Sequence, residues 1–219
     1  MKLSVKRAVD ICGSALGLVL FTPLLPVIAV AIKLDSPGPV FFRQERVGRH
    51  GQSFRIFKFR SMVVGAPSLG AAITVHANGR STRVGAFLRR TKLDELPQLI
   101  NVLRGDMSLV GPRPEVPEFM KFYSPEQRAI ILSLRPGVTD FASILFRDES
   151  SLLDGRGDPI DIYCNEIMPV KFKYYERYSH DIGLLTDFKI IAATVALLLL
   201  KQIPKSFGIE HDLRNNKHR

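Results

Sequence analysis

The chain has 219 residues, 46% of them hydrophobic and 24% charged, a balance that excludes disorder throughout and suits one domain with appendages. Thirty-one basic residues against 21 acidic ones give a net charge of +10, which favours polyanionic partners: nucleic acid, nucleotide phosphates or an acidic lipid surface. Two cysteines, Cys12 and Cys164, form no disulfide framework, and the five histidines are too scattered for a zinc site.

Along the chain, Lys2, Lys6 and Arg7 precede an uncharged run from Ile11 to Ile32, and Lys33 follows it. The run is too long for a signal peptide and has no clear cleavage site after it. As one helix it would measure about 33 Å, enough to cross a bilayer core. Pro23 and Pro26 stand near its middle. Pro23 cannot donate to the carbonyl of Val19, nor Pro26 to that of Thr22, so a bend is expected, with the Thr22 hydroxyl available for a local bond. Basic residues at both ends suit a single-pass anchor and a re-entrant hairpin alike.

Ser36-Pro-Gly-Pro39 then punctuates the chain. Val40–Gly48 and Phe54–Met62 read as two strands around His50-Gly51-Gln52, a candidate hairpin. In the second strand Phe57 and Phe59 point one way and Lys58 and Arg60 the other, making either a solvated face or a cationic wall toward a phosphate. Residues 63–83, rich in Gly, Ala and Ser, read as a mobile loop.

Leu96, Leu99, Ile100 and Leu103 form one apolar helical face, with Gly105 as the stop. Pro97 is tolerated only in a first turn, so the helix is expected to begin near Asp94. Asp94 and Glu95 are then either a cap with a dipole-matched neighbour or two adjacent carboxylates with chemistry to do. Arginines on stiff turns surround them in sequence: Arg89, Arg90, Arg113 between two prolines, Arg135 before Pro-Gly, and Arg147. Guanidinium forks suit phosphate. One carboxylate can attack phosphorus to form an acyl phosphate, and its neighbour can hold a divalent cation. There is no Walker loop and no GxGxxG.

Taken together, these pieces resemble the small monotopic bacterial phosphoglycosyl transferases, the initiating sugar transferases. The matching segments are Lys6-Arg-Ala-Val-Asp10, Thr22-Pro23, Pro39-Val-Phe-Phe-Arg43-Gln, Phe57-Lys-Phe-Arg-Ser-Met62, Leu93-Asp-Glu-Leu-Pro-Gln-Leu99, Asn101 through Pro114, Arg135-Pro-Gly-Val-Thr139 and Asp187-Phe-Lys-Ile190. They run in family order across nearly the whole chain, and Leu93–Pro114 is the most specific part.

The resemblance implies an α/β, mostly helical fold: a re-entrant membrane helix broken at Thr22-Pro23 (1–35), a cytoplasmic catalytic domain with a short β-hairpin (36–183), an interfacial C-terminal helix (184–209) and a polar tail (210–219). It implies transfer of a sugar 1-phosphate from a UDP-sugar to polyprenyl phosphate at the cytoplasmic face of the bacterial inner membrane, with release of UMP. Asp94 matches the nucleophile and Glu95 its partner, the pair associated with Mg²⁺. Lys58, Arg89 and Arg113 match basic positions of the phosphate site, with Arg60, Arg135 and Arg147 as further phosphate-binding candidates. The expected partners are the UDP-sugar, the polyprenyl phosphate, phospholipids and a second copy in a homodimer, with no nucleic acid.

The other class of function compatible with +10 and an apolar anchor is a membrane-tethered binding module for anionic lipid or nucleic acid. It leaves Asp94-Glu95 unexplained. The chain departs from the family pattern at Thr139-Asp-Phe-Ala-Ser-Ile-Leu-Phe-Arg147, at an insert over 148–168, and at Tyr175-Glu176 where many members have an acid before a tyrosine pair. Glu149 and Glu166 are candidates for the displaced carboxylate. Ile190–Leu200 is apolar but too short to span, and Lys201 and Lys205 are placed to reach headgroups.

Overall fold

A computed structural model describes residues 2–65, 80–153 and 157–200. Helices dominate. The chain opens with α1 (Lys2–Phe21) and α2 (Leu24–Asp35), which meet at a 62° bend. The bend falls at Thr22-Pro23. Pro23 cannot complete the ladder, so Thr22 serves both carbonyls left behind: its N–H donates to Val19 O at 3.3 Å and its hydroxyl to Leu18 O at 2.7 Å. Pro26 causes no second break, because α2 starts at Leu24 and places it in the first turn, where no N–H is required. No single described helix is long and apolar enough to cross a membrane, whereas α1 and α2 together pass by length and composition.

Strands β1 (Phe41–Val47) and β2 (Ser53–Phe59) form the expected antiparallel hairpin, with Arg43 opposite Phe57 and Phe41 opposite Phe59. Phe41 stacks on Phe59 at 5.4 Å. Phe59 is buried with Ile28, Ile32 and Leu88, joining the hairpin to α2 and α3 (Arg83–Thr91). Of the loop expected over 63–83, residues 66–79 lie outside the described residues. Its neck is closed by the Met62–Ser81 bridge and by Val63 N–H donating to Arg80 O.

After α3 comes a 3₁₀ turn, Leu93–Glu95, and then α4 (Gln98–Arg104), which Gly105 ends in the left-handed conformation at φ 92°. The regular helix therefore starts later than Asp94. Pro97 is its cap, and the Asp94 side chain caps nothing. Strand β3 (Ser108–Val110) pairs in parallel with β4 (Gly137–Thr139). Beyond the pair, Gly111 and Gly137 touch so closely that a Cβ on Gly137 would lie 2.1 Å from Gly111 N. The remaining helices are α5 (Pro125–Ser133), α6 (Phe141–Leu145), α7 (Glu149–Leu153), α8 (Pro159–Ile162), α9 (Met168–His180) and α10 (Leu184–Leu200). A π-helical turn, Tyr163–Ile167, joins α8 to α9.

Helix α1 is the spine of this arrangement. Asp10 is buried and accepts from Leu109 N–H and Ser108 Oγ, both at 3.0 Å. Arg7 donates to the C-terminal carbonyls of α4, Val102 O and Leu103 O. Lys6 donates to Val110 O and pairs with Asp187 of α10 at 2.6 Å, while Tyr178 of α9 donates to the same carboxylate at 2.7 Å. Asp187, which interrupts the apolar pattern of α10, is thus a buried junction. Ile190, Ala193 and Leu197 continue its buried face, and Leu185, Phe188 and Leu199 remain exposed on the other.

Gly137→Ala places a methyl against the Gly111 backbone. The expected cost is about 3 kcal/mol or more, read as a fall in the thermal midpoint of the purified protein; an unchanged midpoint would mean the two turns are free to separate.

Candidate active site

The 3₁₀ turn presents two adjacent carboxylates to different surroundings. Glu95 points toward β2 and the Pro112-Arg113-Pro114 turn. Lys58 Nζ reaches Glu95 Oε1 at 2.8 Å, and Arg113 Nη2 reaches the same oxygen at 2.8 Å. Arg113 Nη1 lies 3.5 Å from Oε2. Burial works to raise the Glu95 carboxyl, but Arg113 and Lys58 outweigh it and hold it well below the usual range. The Arg113 guanidinium is raised in turn by Glu95.

Asp94 is also buried, at 7% exposure, yet its Oδ1 has no hydrogen-bond partner among the described residues. Burial and the adjacent Glu95 charge push its carboxyl up, against the weaker pull of Lys58, Lys92 and Arg89. Environment therefore drives two neighbouring acids apart: one held ionised by two cations at Oε1, the other with no cation in direct contact among the described residues. A buried carboxylate oxygen without a partner is costly, and such groups mark sites awaiting a ligand or a reaction. Lys58 completes the set. Burial lowers its ammonium from 10.5 to about 8, helped by Arg113 and opposed by Glu95.

The fold thus brings together Asp94, Glu95, Lys58 and Arg113, with Arg89 from the last turn of α3 adding positive charge at Asp94. Three other sequence candidates have different work. Arg60 is buried and donates to Pro37 O, Ser36 O and Ser36 Oγ at the C-terminal end of α2. Arg135 donates through Nε to Gly105 O, at the opposite end of α4 from the carboxylates. Arg147 donates to Leu197 O and Arg90 O, tying α10 to α3. All three carry the basic charge that a phosphate site wants, but bonds to backbone carbonyls hold them away from the two carboxylates, Arg135 through its Nε alone.

Lys92 is the site residue that sequence reasoning missed. It takes φ 58°, the left-handed region, as the residue that ends α3 and starts the 3₁₀ turn, and it acts on both Asp94 and Glu95. Its only sequence signal is its place before Leu-Asp-Glu. Of the acids proposed to replace the displaced carboxylate, Glu149 pairs with buried Lys171, and Glu166 is exposed on the π-helical turn. In the divergent segment, Asp140 caps α6 by accepting from Ser143 N–H at 3.1 Å.

No three His, Cys, Asp or Glu side chains gather into a metal-ligand group among the described residues. A Mg²⁺ ion asks less of a protein: commonly one or two carboxylates, with phosphate oxygens and water completing the shell. The partnerless Asp94 Oδ1 and the loosely held Glu95 Oε2 fit that requirement.

The profile of the bacterial sugar transferase family matches residues 1–201. The chain belongs to this family. The chain is 52% identical to an exopolysaccharide production protein, PSS, of Rhizobium leguminosarum bv. phaseoli, over 89% of this chain and 95% of that one. A UDP-glucose:undecaprenyl-phosphate glucose-1-phosphate transferase of Caulobacter vibrioides is 40% identical over 89% of this chain and 69% of its own length. A UDP-N-acetylgalactosamine-undecaprenyl-phosphate N-acetylgalactosaminephosphotransferase of Aeromonas hydrophila is 37% identical, and this sugar transferase spans 44% of its length.

Arg113→Met leaves Glu95 buried with one cation instead of two and is expected to cost about 2–3 kcal/mol. Adding Glu95→Gln should return part of that loss. A double variant whose loss equals the sum of the single ones, measured by chemical denaturation, would show that the pair is not energetically coupled.

Proposed function

We propose that this chain transfers a sugar 1-phosphate from a UDP-sugar to polyprenyl phosphate at a membrane surface, releasing UMP. The observation that carries the reading is Asp94 Oδ1, a buried carboxylate oxygen with no partner beside a glutamate held ionised by two cations. The relatives named for UDP-sugar and undecaprenyl phosphate support the two substrates.

Two displacements at one phosphorus account for the chemistry. In the first, Asp94 attacks the phosphorus that bears the sugar, and the bond to the bridging oxygen breaks. UMP leaves with the electron pair, and an aspartyl phosphosugar remains. In the second, a phosphate oxygen of the polyprenyl acceptor attacks the same phosphorus and expels the Asp94 carboxylate. The raised Asp94 carboxyl is the more basic of the two acids, which makes it the better nucleophile once ionised. Lys58, Lys92 and Arg89 pull against that rise and supply positive charge to the incoming diphosphate. Glu95 fixes Lys58 and Arg113 in place, so their remaining N–H groups are preorganised for phosphate oxygens. A Mg²⁺ ion held by Asp94 and Glu95 would neutralise charge on the departing phosphate.

The bent α1–α2 pair supports a re-entrant insertion that enters and leaves on the cytoplasmic side of the inner membrane. The exposed apolar side chains Leu16, Val19, Leu20, Val27 and Val30 then face lipid, and the catalytic turn stays near the acceptor's phosphate.

The deciding experiment is UMP release by the detergent-solubilised protein with Mg²⁺, undecaprenyl phosphate and a panel of UDP-sugars. Release that needs the lipid and is abolished in Asp94→Asn is the expected result; unchanged turnover in Asp94→Asn would remove Asp94 as nucleophile. The pH profile carries a second expectation. Because the folded Lys58 ammonium sits near 8 rather than 10.5, it loses its proton as pH rises through about 8, which weakens its hold on Glu95. Activity should therefore fall on the alkaline side around pH 8, and Lys58→Arg should move that limb upward.

A further inference from the structure

A second basic site lies away from the carboxylates. It is an open groove between α1, the turn after β1 and the Arg135-Pro-Gly137 turn, lined by Lys6, Arg7, Asp10, Arg49, Arg135 and the apolar Ile182, among others. It sits at the Gly105 end of α4, about 15 Å along the helix from Glu95.

Its charges are arranged for an incoming anion. Asp10, its one acid, is already satisfied by Ser108 Oγ and Leu109 N–H. Lys6 is paired with Asp187, and Arg7 is bonded to two carbonyls of α4. The two remaining arginines differ. Arg49 is pinned through Nε to Ser133 O at 2.9 Å, and Arg135 through Nε to Gly105 O at 3.1 Å. Neither has a hydrogen-bond partner for its terminal nitrogens among the described residues. A guanidinium fixed at Nε and open at both Nη atoms is preorganised for bidentate binding of a phosphate.

We propose that Arg49 and Arg135 form a second anion site, which takes the phosphate of an anionic phospholipid headgroup. The lipid source rests on the membrane reading of α1. Lys6 and Arg7 lie one turn before the apolar part of that helix, so the groove falls at headgroup level. Helices α1 and α10 carry exposed apolar side chains for the acyl region, Val5 and Val9 on α1 and Leu184, Leu185 and Phe188 on α10. The same fork would also accept inorganic phosphate, and the two sources are separable.

The test uses the full chain in neutral detergent with a trace of phosphatidylglycerol. Bound lipid is counted by native mass spectrometry, and inorganic phosphate is titrated in parallel by ³¹P linewidth. The wild type should retain phosphatidylglycerol in preference to phosphatidylcholine. Arg49→Gln with Arg135→Gln should weaken retention about tenfold or more, at the two charge-assisted contacts removed. Arg49→Glu alone, at a half-exposed position, gives the same readout without touching the Arg135 turn. Retention that millimolar phosphate does not displace assigns the site to the lipid. Phosphate binding that the variants abolish, without lipid retention, keeps the anion site and overturns the lipid source. Equal retention and equal phosphate broadening in wild type and both variants overturn the proposal. None of these readouts requires turnover, so they stand apart from the test of the transfer reaction.

Discussion

Everything at the 3₁₀ turn of the two acids depends on how Glu95 is buried. A carboxylate taken out of water is costly, and only close cations with good geometry repay it. Glu95 has two, from elements distant in sequence: Lys58 on β2 and Arg113 between two prolines. The three side chains lock the hairpin, the 3₁₀ turn and the proline turn to one another. That lock leaves Asp94, next door on the same turn, without a partner of its own. The unsatisfied acid is therefore a by-product of satisfying its neighbour, and the strain of the site is held by contacts made elsewhere.

The second constraint is the attachment of α1. A bent apolar helix could detach from a small domain, and here it does not. Its polar first half is stitched to β3 by Asp10, to α4 by Arg7, and to α10 and α9 by Lys6 through Asp187. Gly13 and Gly17 let Leu109 and Leu99 approach closely, since a Cβ at either would meet a leucine methyl at 2.8 or 3.0 Å. Helices α1 and α10 thus close on one another through an ion pair largely removed from solvent.

Much of this was legible in the sequence. The break at Thr22-Pro23, the hairpin and the left-handed stop at Gly105 follow from proline, alternation and glycine, which act locally. The catalytic pair stood out because two acids sat beside a proline among arginines. What could not be read was the assignment of each cation. Arg60, Arg135 and Arg147 are as basic as Arg113, and only the tertiary fold decides that carbonyls take the first three and Glu95 the last. The start of α4 was missed by a few residues because a 3₁₀ turn and a helix share the same apolar spacing over so short a stretch. Lys92 escaped because a non-glycine residue in the left-handed region leaves no compositional trace.

Lys58 lies near the end of β2 and Arg60 just beyond it, where its N–H still donates to Val40 O, so the two are roughly 7 Å apart along the chain. One of them grips the carbonyls at the end of α2, and the other grips Glu95. The strand therefore works as a ruler. It sets a fixed offset between the end of the bent apolar helix pair and the buried acids of the 3₁₀ turn. Under the proposed reaction, with one substrate dissolved in water and the other held in a bilayer, a rigid offset of this kind would bring both to the same height.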